Sequence, residues 1–382
     1  MLKQLLLFSY LLFLCSCKQQ SKETLSQEST SKKVELTYAN GFSIEKQASG
    51  ITILKILAPW PNAEASFTYA LIPKEKQSFI TLDKNEYDAI ISVPIDNIVV
   101  TSTTHIPALE ALGELDKLVG FSDTKYVSSK AARKRIDAGQ IKELGINENL
   151  NTEAVLALQP DVVVGFAVSG NNTAYETLQR SQIPVIYNGD WVEETPLGKA
   201  EWIKFFALFF NKETKASIIF AEIEKSYNDA KKLAETAITR PTVLSGALYK
   251  DVWYLPGGKS WAANFLKDAN ANYLWQESTE SGSLSLSWES VLVVANNAEY
   301  WIGPAQFKSY SEMASSSAHY LQFDAFKNKK VFTFANTEGE TGGNLYYELA
   351  PQRPDIVLKD LIHILHPNLL PEHKPFFFKP LN

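Results

Sequence analysis

The chain has 382 residues, room for two domains of ordinary size, and its 45% hydrophobic and 21% charged content is that of a globular protein with real cores. A net charge of −6, with both signs interspersed, gives no sign of a nucleic-acid-binding surface, which needs a basic face. The 8 Trp, 16 Tyr and 21 Phe are a rich aromatic supply, suited to cores and to pockets for large flat ligands.

The chain opens MLKQLLLFSYLLFLCSC, with Lys3 as a positive start and an apolar run from Leu5 to Leu14 that is too short to anchor stably across a bilayer. Leu14-Cys15-Ser16-Cys17 resembles the bacterial lipobox, which implies that residues 1–16 are a signal peptide and that Cys17 becomes the lipidated first residue. Acyl chains there supply the grip on the membrane that no later segment offers, since no later run reaches about 18 apolar residues. Cys15 leaves with the signal, so the mature fold has no disulfide, no Cys metal site and no thiol nucleophile. The polar stretch through residue 33 reads as a flexible tether, residues 17–33.

From Val34 the pattern is globular. FSIEKQASGITILKIL predicts a hairpin turning at Ser49-Gly50, and ASFTYALIP and IDNIVVTS predict further strands. A helix is expected near Pro107, another over SSKAARKRIDAG, and a strand at QIPVIYNGD. From Pro196 to Ile238 there is no strand pattern. Residues 212–238 lack internal Pro and Gly and carry apolar residues at helical spacing (Ile218, Ile219, Ile223, Tyr227, Ala230, Leu233, Ala234), which predicts one helix of about 40 Å. Arg240-Pro241 ends it. Alternation then resumes with TVLSGALY, VWYLPGG, SWAANFLKDANANYLW, VFTFANTEG and a last helix in PDIVLKDLIHILHP. The expected fold is α/β: two Rossmann-like lobes, each a mainly parallel sheet flanked by helices, joined by one long rigid helix. The expected domains are an N-terminal lobe over 34–193, a helical segment between lobes over 194–239, and a C-terminal lobe over 240–382.

Two phrases share one grammar. LNTEAVLALQPDVVVG and LSWESVLVVANNAEYWIG each offer a polar N-cap (Asn151, Ser287), an acid in the first helical turn (Glu153, Glu289), an apolar helix, a break and a strand ending near Gly. With VVTSTTHIPALEALGELDKLVGF, PLGKAEWIKFFALFF, the long helix and RPDIVLKDLIHILHP, they make the stretch from Ile98 to Leu370 resemble the class III substrate-binding proteins of ABC importers, which carry ferric siderophores, haem and cobalamin. Residues 34–90 do not fall on that family's pattern. The resemblance implies a monomer that holds its ligand between the lobes without chemistry and needs no cofactor. It also implies that Glu153 and Glu289 each dock onto one subunit of the permease dimer, which works with its ATPase. The second carry-over is the weaker, because the second phrase is longer before its glycine and lacks the Pro-Asp.

Ligands in open α/β sheets bind beyond the C-terminal strand ends. That rule nominates Thr103, Thr104, His105, Phe166, Trp191, Tyr249, Trp253, Tyr254, Gly258, Trp261, Tyr346 and Arg353 as cleft residues. The run Gly257-Gly258-Lys259-Ser260-Trp261 is a turn or an anion cradle of backbone N–H groups. Arg353 either meets an anionic ligand or pairs with Asp355 or Asp360, and His105 either ligates a bound iron or cobalt or bonds locally. His319 and His373 read as surface, and His363 and His366 lack a third ligand for a metal of their own. No G-x-S-x-G elbow, P-loop, G-x-G-x-x-G or H-E-x-x-H is present, so no enzyme is expected. The expected role is an extracytoplasmic, lipid-anchored binding protein that delivers a metal chelate to an ABC permease. A ferric siderophore is the first ligand reading, with cobalamin and haem as alternatives in the same family. A tethered scavenger uncoupled from any importer is the alternative outside it.

Overall fold

The computed structural model describes residues 31–170 and 172–382. The signal segment and Cys17 lie outside the described residues, as does most of the tether.

The chain first builds a sheet of five strands: β1 (Lys32–Val34), β2 (Phe42–Lys46), β3 (Thr52–Ile56), β4 (Phe67–Pro73) and β5 (Ala89–Val93). The strands lie in sequence order, antiparallel up to the β3–β4 pair and parallel between β4 and β5. The β2–β3 hairpin closes at Gly50, whose φ of 91° suits a residue without a Cβ. This sheet covers residues that fell on no family pattern, and buried carboxylates fasten it to the rest of the molecule. Glu201, fully buried, accepts from the backbone N–H groups of Thr37, Tyr38 and Ala39 at 3.0, 2.8 and 2.8 Å, while Glu193 accepts from those of Asn40 and Gly41 at 2.9 and 2.8 Å. Phe42 packs on Trp202 at 4.5 Å between ring centres.

The first lobe follows with β6 (Ile98–Val100), β7 (Leu118–Phe121), β8 (Lys142–Glu143), β9 (Val162–Gly165) and β10 (Val185–Tyr187). All pair in parallel, in the order β10-β9-β6-β7-β8. β6, β9 and β10 are buried along their whole length, as expected of parallel strands covered on both faces. β7 escapes a reading of the sequence because LVGF merges with the helical run before it.

The second lobe has β11 (Thr242–Ser245), β12 (Ala247–Tyr249), β13 (Val252–Pro256), β14 (Asn272–Tyr273), β15 (Ser283–Leu286), β16 (Tyr300–Ile302), β17 (Val331–Thr333) and β18 (Lys379–Pro380). Its main sheet runs β14-β11-β16-β17-β18, parallel except for β18, and β12-β13-β15 form a separate antiparallel sheet. TVLSGALY, a single run in the sequence, is therefore two strands in two sheets. The chain turns between them at Gly246 (φ 76°), where a Cβ would collide with the Tyr254 carbonyl.

The long helix spans Glu213–Ala234, 22 residues and about 33 Å, shorter than the 212–238 pattern suggested. Its buried seam is Ala216, Phe220, Ile223, Tyr227, Ala230 and Ala234, and Ile218 is instead 57% exposed. The helix touches both lobes. Lys215 Nζ donates to the Leu112 carbonyl of the first at 2.8 Å, while the Tyr227 hydroxyl donates to Asp268 of the second at 2.6 Å and Lys231 pairs with Asp268 at 2.8 Å.

Candidate functional site

In each lobe the strand order reverses beside the first strand of its parallel sheet: between β6 and β9 in the first, between β11 and β16 in the second. Loops leaving neighbouring strands there part in opposite directions and open a crevice. A cavity sits at each point, of about 310 Å³ in the first lobe and about 350 Å³ in the second. Tyr347 lines both, so the two cavities share a wall, and Asn344 of the second lobe also walls the first cavity.

The floor of the first cavity is a hydrogen-bonded layer. Buried Tyr175 donates from its hydroxyl to Asn147 Oδ1 and lies 3.0 Å from Thr101 Oγ1, and Ser122 Oγ donates to the Thr101 carbonyl at 2.9 Å. Burial raises the Tyr175 pKa, so the phenol stays protonated. Gly165 makes room for it, because a Cβ there would collide with the Tyr175 hydroxyl. The walls are Thr101, Ser102, Thr103, Phe121, Asp123, Tyr126, Glu148 and Phe166. The second cavity is aromatic, with Tyr254, Trp261, Phe265, Phe334, Tyr346 and Phe378 among its walls, and Phe334 stacks on Tyr346 at 4.6 Å.

Of the residues nominated from sequence, Thr103 and Phe166 line the first cavity, and Tyr254, Trp261 and Tyr346 the second. The others stand elsewhere. Thr104 bonds to Ser102 Oγ at 3.0 Å. His105 is fully buried, 5.3 Å from the Phe206 ring, and burial lowers its pKa to about 4, so it is neutral and closed off from a ligand. Trp191, 37% exposed, and Tyr249, 66% exposed, lie outside both cavities. Trp253 is core: fully buried, stacked on Trp301 at 5.3 Å, its indole N–H donating to the Ser245 carbonyl. Gly258 lines neither cavity, and its N–H donates to Ser278 Oγ at 2.7 Å. Arg353 grips Asp355 with two bonds, at 2.9 and 3.0 Å. His373, read as surface, bonds the buried Asp360 at 2.7 Å. Asp123, Tyr126, Asn147 and Glu148 also line the first cavity and went unnominated. All four follow β7 and β8, which the sequence pattern conceals.

The lobes also meet beside the cleft. Glu348 of the second lobe accepts from the backbone N–H groups of Ser128 and Ser129 of the first, at 2.6 and 2.8 Å, just before the first-lobe helix Lys130–Asp137. The Thr341 hydroxyl donates to the Lys125 carbonyl at 2.7 Å. Gly343 lies so near that a Cβ would collide with the Tyr126 carbonyl. Burial pushes the Glu348 pKa up to about 7, against the pull of its two N–H donors. Glu153 and Glu289 are exposed, each in the first turn of a capped helix, Thr152–Leu158 and Trp288–Ala295. Val293, one turn beyond Glu289, is 82% exposed.

Comparison with known proteins supplies a frame for this geometry. The family model described as "Periplasmic binding protein" matches residues 98–337, beginning at the first residue of β6. An uncharacterized lipoprotein of Methanocaldococcus jannaschii is 25% identical over 302 residues, covering 77% of this chain and 70% of that protein. Among solved structures, a periplasmic heme binding protein of Pseudomonas aeruginosa is similar at a TM-score of 0.57 and 17% identity, covering 75% of this chain and 98% of that one. A possible iron-binding (periplasmic solute-binding) protein of Staphylococcus epidermidis has a TM-score of 0.56 and 20% identity, covering 72% of this chain and 99% of that one. The five-stranded sheet before residue 94 lies outside the family match.

Proposed function

This chain belongs to the periplasmic binding protein family, and from that premise we propose that it is a lipid-anchored, extracytoplasmic solute-binding protein that delivers a metal complex to an ABC importer. The observation that carries the reading is the pair of cavities at the two strand-order reversals, joined at Tyr347. A chelate of drug size or larger fits a cleft of two such halves, each near the lower end of ordinary ligand pockets. The solved relatives include an iron-binding candidate, a heme binding protein and a vitamin B12 binding protein of Vibrio cholerae, which supports metal complexes as the cargo class. A ferric siderophore remains the first reading, with cobalamin and haem beside it. Cys17 would carry the lipid, and residues 17–33 would hold the lobes away from the membrane.

The long helix and the Glu348 contact leave the lobes little freedom, so capture needs only a small closing motion. Glu153 and Glu289 are the proposed docking carboxylates, one per lobe on a rigid body, where charge steers encounter and fixes register. The test is the double variant Glu153→Arg/Glu289→Arg in the cells that make the protein. Uptake should collapse while the purified variant keeps its ligand affinity; uptake that survives sinks the docking assignment and favours an uncoupled scavenger.

A further inference from the structure

We infer that the cleft selects metal complexes that carry no net negative charge. The inference rests on the solute-binding reading above and narrows its cargo. Among the described residues lining the first cavity, the only charged side chains are Asp123 and Glu148, both acids, and those lining the second carry no charge at all. A polyanion entering this cleft would leave water for a wall that offers it no unpaired cation and two carboxylates, one of them paired with Lys125.

The groups that would have received an anion are either engaged elsewhere or sealed off from the cleft. Arg353 lines neither cavity and is forked onto Asp355. The backbone N–H groups of Gly257, Gly258, Lys259 and Ser260 donate respectively to the Gly282 carbonyl, Ser278 Oγ, the Glu280 carbonyl and the Gly257 carbonyl, at 2.7–3.0 Å. His105 is buried and neutral. Among the described residues, the ammonium groups of Lys125 and Lys199 lie against wall residues, and each has partners of its own. Lys125 Nζ sits 3.4 Å from Asp123 and 4.7 Å over the Tyr126 ring. Lys199 Nζ donates to the carbonyls of Asp190 and Trp191 at 3.0 and 2.8 Å, 5.6 Å from the Trp261 ring. What the cleft does offer is aromatic faces with hydroxyls and amides: Tyr126, Tyr254, Tyr347, Trp261, Asn147 and Asn344. That chemistry matches a neutral chelate with amide, hydroxyl and hydrocarbon at its periphery, such as a ferric tris-hydroxamate or a corrinoid.

The test is equilibrium dialysis of the purified full-length chain in non-ionic detergent, at roughly 20 mM and roughly 300 mM NaCl, which changes the screening length several-fold. The probes are a neutral ferric tris-hydroxamate, cyanocobalamin, haemin with its two propionates, and a trianionic ferric tris-catecholate. One of the neutral complexes should bind at least about tenfold more tightly than the tris-catecholate at low salt, and any binding of the anions should strengthen as salt rises. The Asp123→Asn/Glu148→Gln variant should narrow the neutral-to-anion ratio about tenfold. Tighter binding of the tris-catecholate or haemin, weakening with salt, overturns the charge inference and leaves the solute-binding reading standing. If no probe binds, that reading fails and the inference falls with it.

Discussion

Glu348→Gln isolates the contact between the lobes. In the folded protein burial holds the Glu348 pKa at about 7 against an ordinary 4.5, so between those values the folded chain keeps a proton that the unfolded chain has released. A group that binds its proton more tightly when folded loses stability as pH rises: its contribution is whole below pH 4.5 and is gone above pH 7. At about 1.4 kcal/mol per pH unit, the window amounts to roughly 3 kcal/mol. Glutamine cannot titrate, and its amide keeps one acceptor for the N–H groups of Ser128 and Ser129 while turning an NH2 toward the other. Urea unfolding at pH 4.5, 5.5 and 7 should therefore show the wild type losing roughly 3 kcal/mol more than the variant across the window. The comparison between the two proteins matters because His105 runs the other way. Its pKa is lowered by burial to about 4, so it destabilises the fold as pH falls through its ordinary 6.5, equally in both. Amide hydrogen exchange adds a local readout: the Ser128 and Ser129 amides should exchange faster in the variant. Parallel stability profiles, with unchanged exchange at those two amides, would refute a buried carboxylate bridging the lobes.

Asp360→Asn should cost about 3 kcal/mol in urea unfolding, because the fully buried Asp360 accepts from the backbone N–H groups of Phe376, Phe377 and Phe378 and bonds His373. Its C-terminal tail should also become open to carboxypeptidase. Glu201→Ala removes the acceptor for three backbone donors and should lower stability by about 3 kcal/mol, with new protease cleavage near residues 37–41. Gly165→Ala should drive Tyr175 off the cavity floor, lowering stability by about 1–3 kcal/mol and ligand affinity about tenfold; a melting curve and a titration read the two effects.

The paired phrases were the most legible part of the chain. In each, an N-cap, an apolar helix and a strand lie close in sequence, so local propensity and packing agree, and each becomes a capped helix leading into a parallel strand. The long helix was legible for the same reason, although it ends at Ala234, short of the pattern, and Ile218 faces solvent. The cleft was read less well. The rule that ligands meet strand ends located Thr103, Phe166, Tyr254, Trp261 and Tyr346, whose strands or following helices are visible as pattern. It missed Asp123, Tyr126, Asn147 and Glu148, because β7 is a four-residue strand fused to the preceding run and β8 has only two residues. It misplaced Trp253 and Arg353 because composition does not say which face of a strand is buried or which acid an arginine will choose. Trp253 stacks in the core on Trp301, and Arg353 turns to Asp355 two residues away. The five-stranded sheet was partly visible, as a hairpin and the strand in ASFTYALIP, but its attachment runs through Glu193 and Glu201, more than 150 positions distant, and such contacts leave no local trace.

The central claim is that one metal complex binds in the cleft shared by the two lobes at Tyr347. The direct measurement is a tryptophan-fluorescence titration of the full-length chain and its Tyr347→Ala variant with ferric hydroxamate, ferric catecholate, haemin and cyanocobalamin, corrected for ligand absorbance with free tryptophan. The account predicts saturable quenching by one of these at micromolar concentration or below, weakened at least about tenfold in the variant. Absence of saturable binding by all four, or binding that Tyr347→Ala leaves untouched, would contradict it.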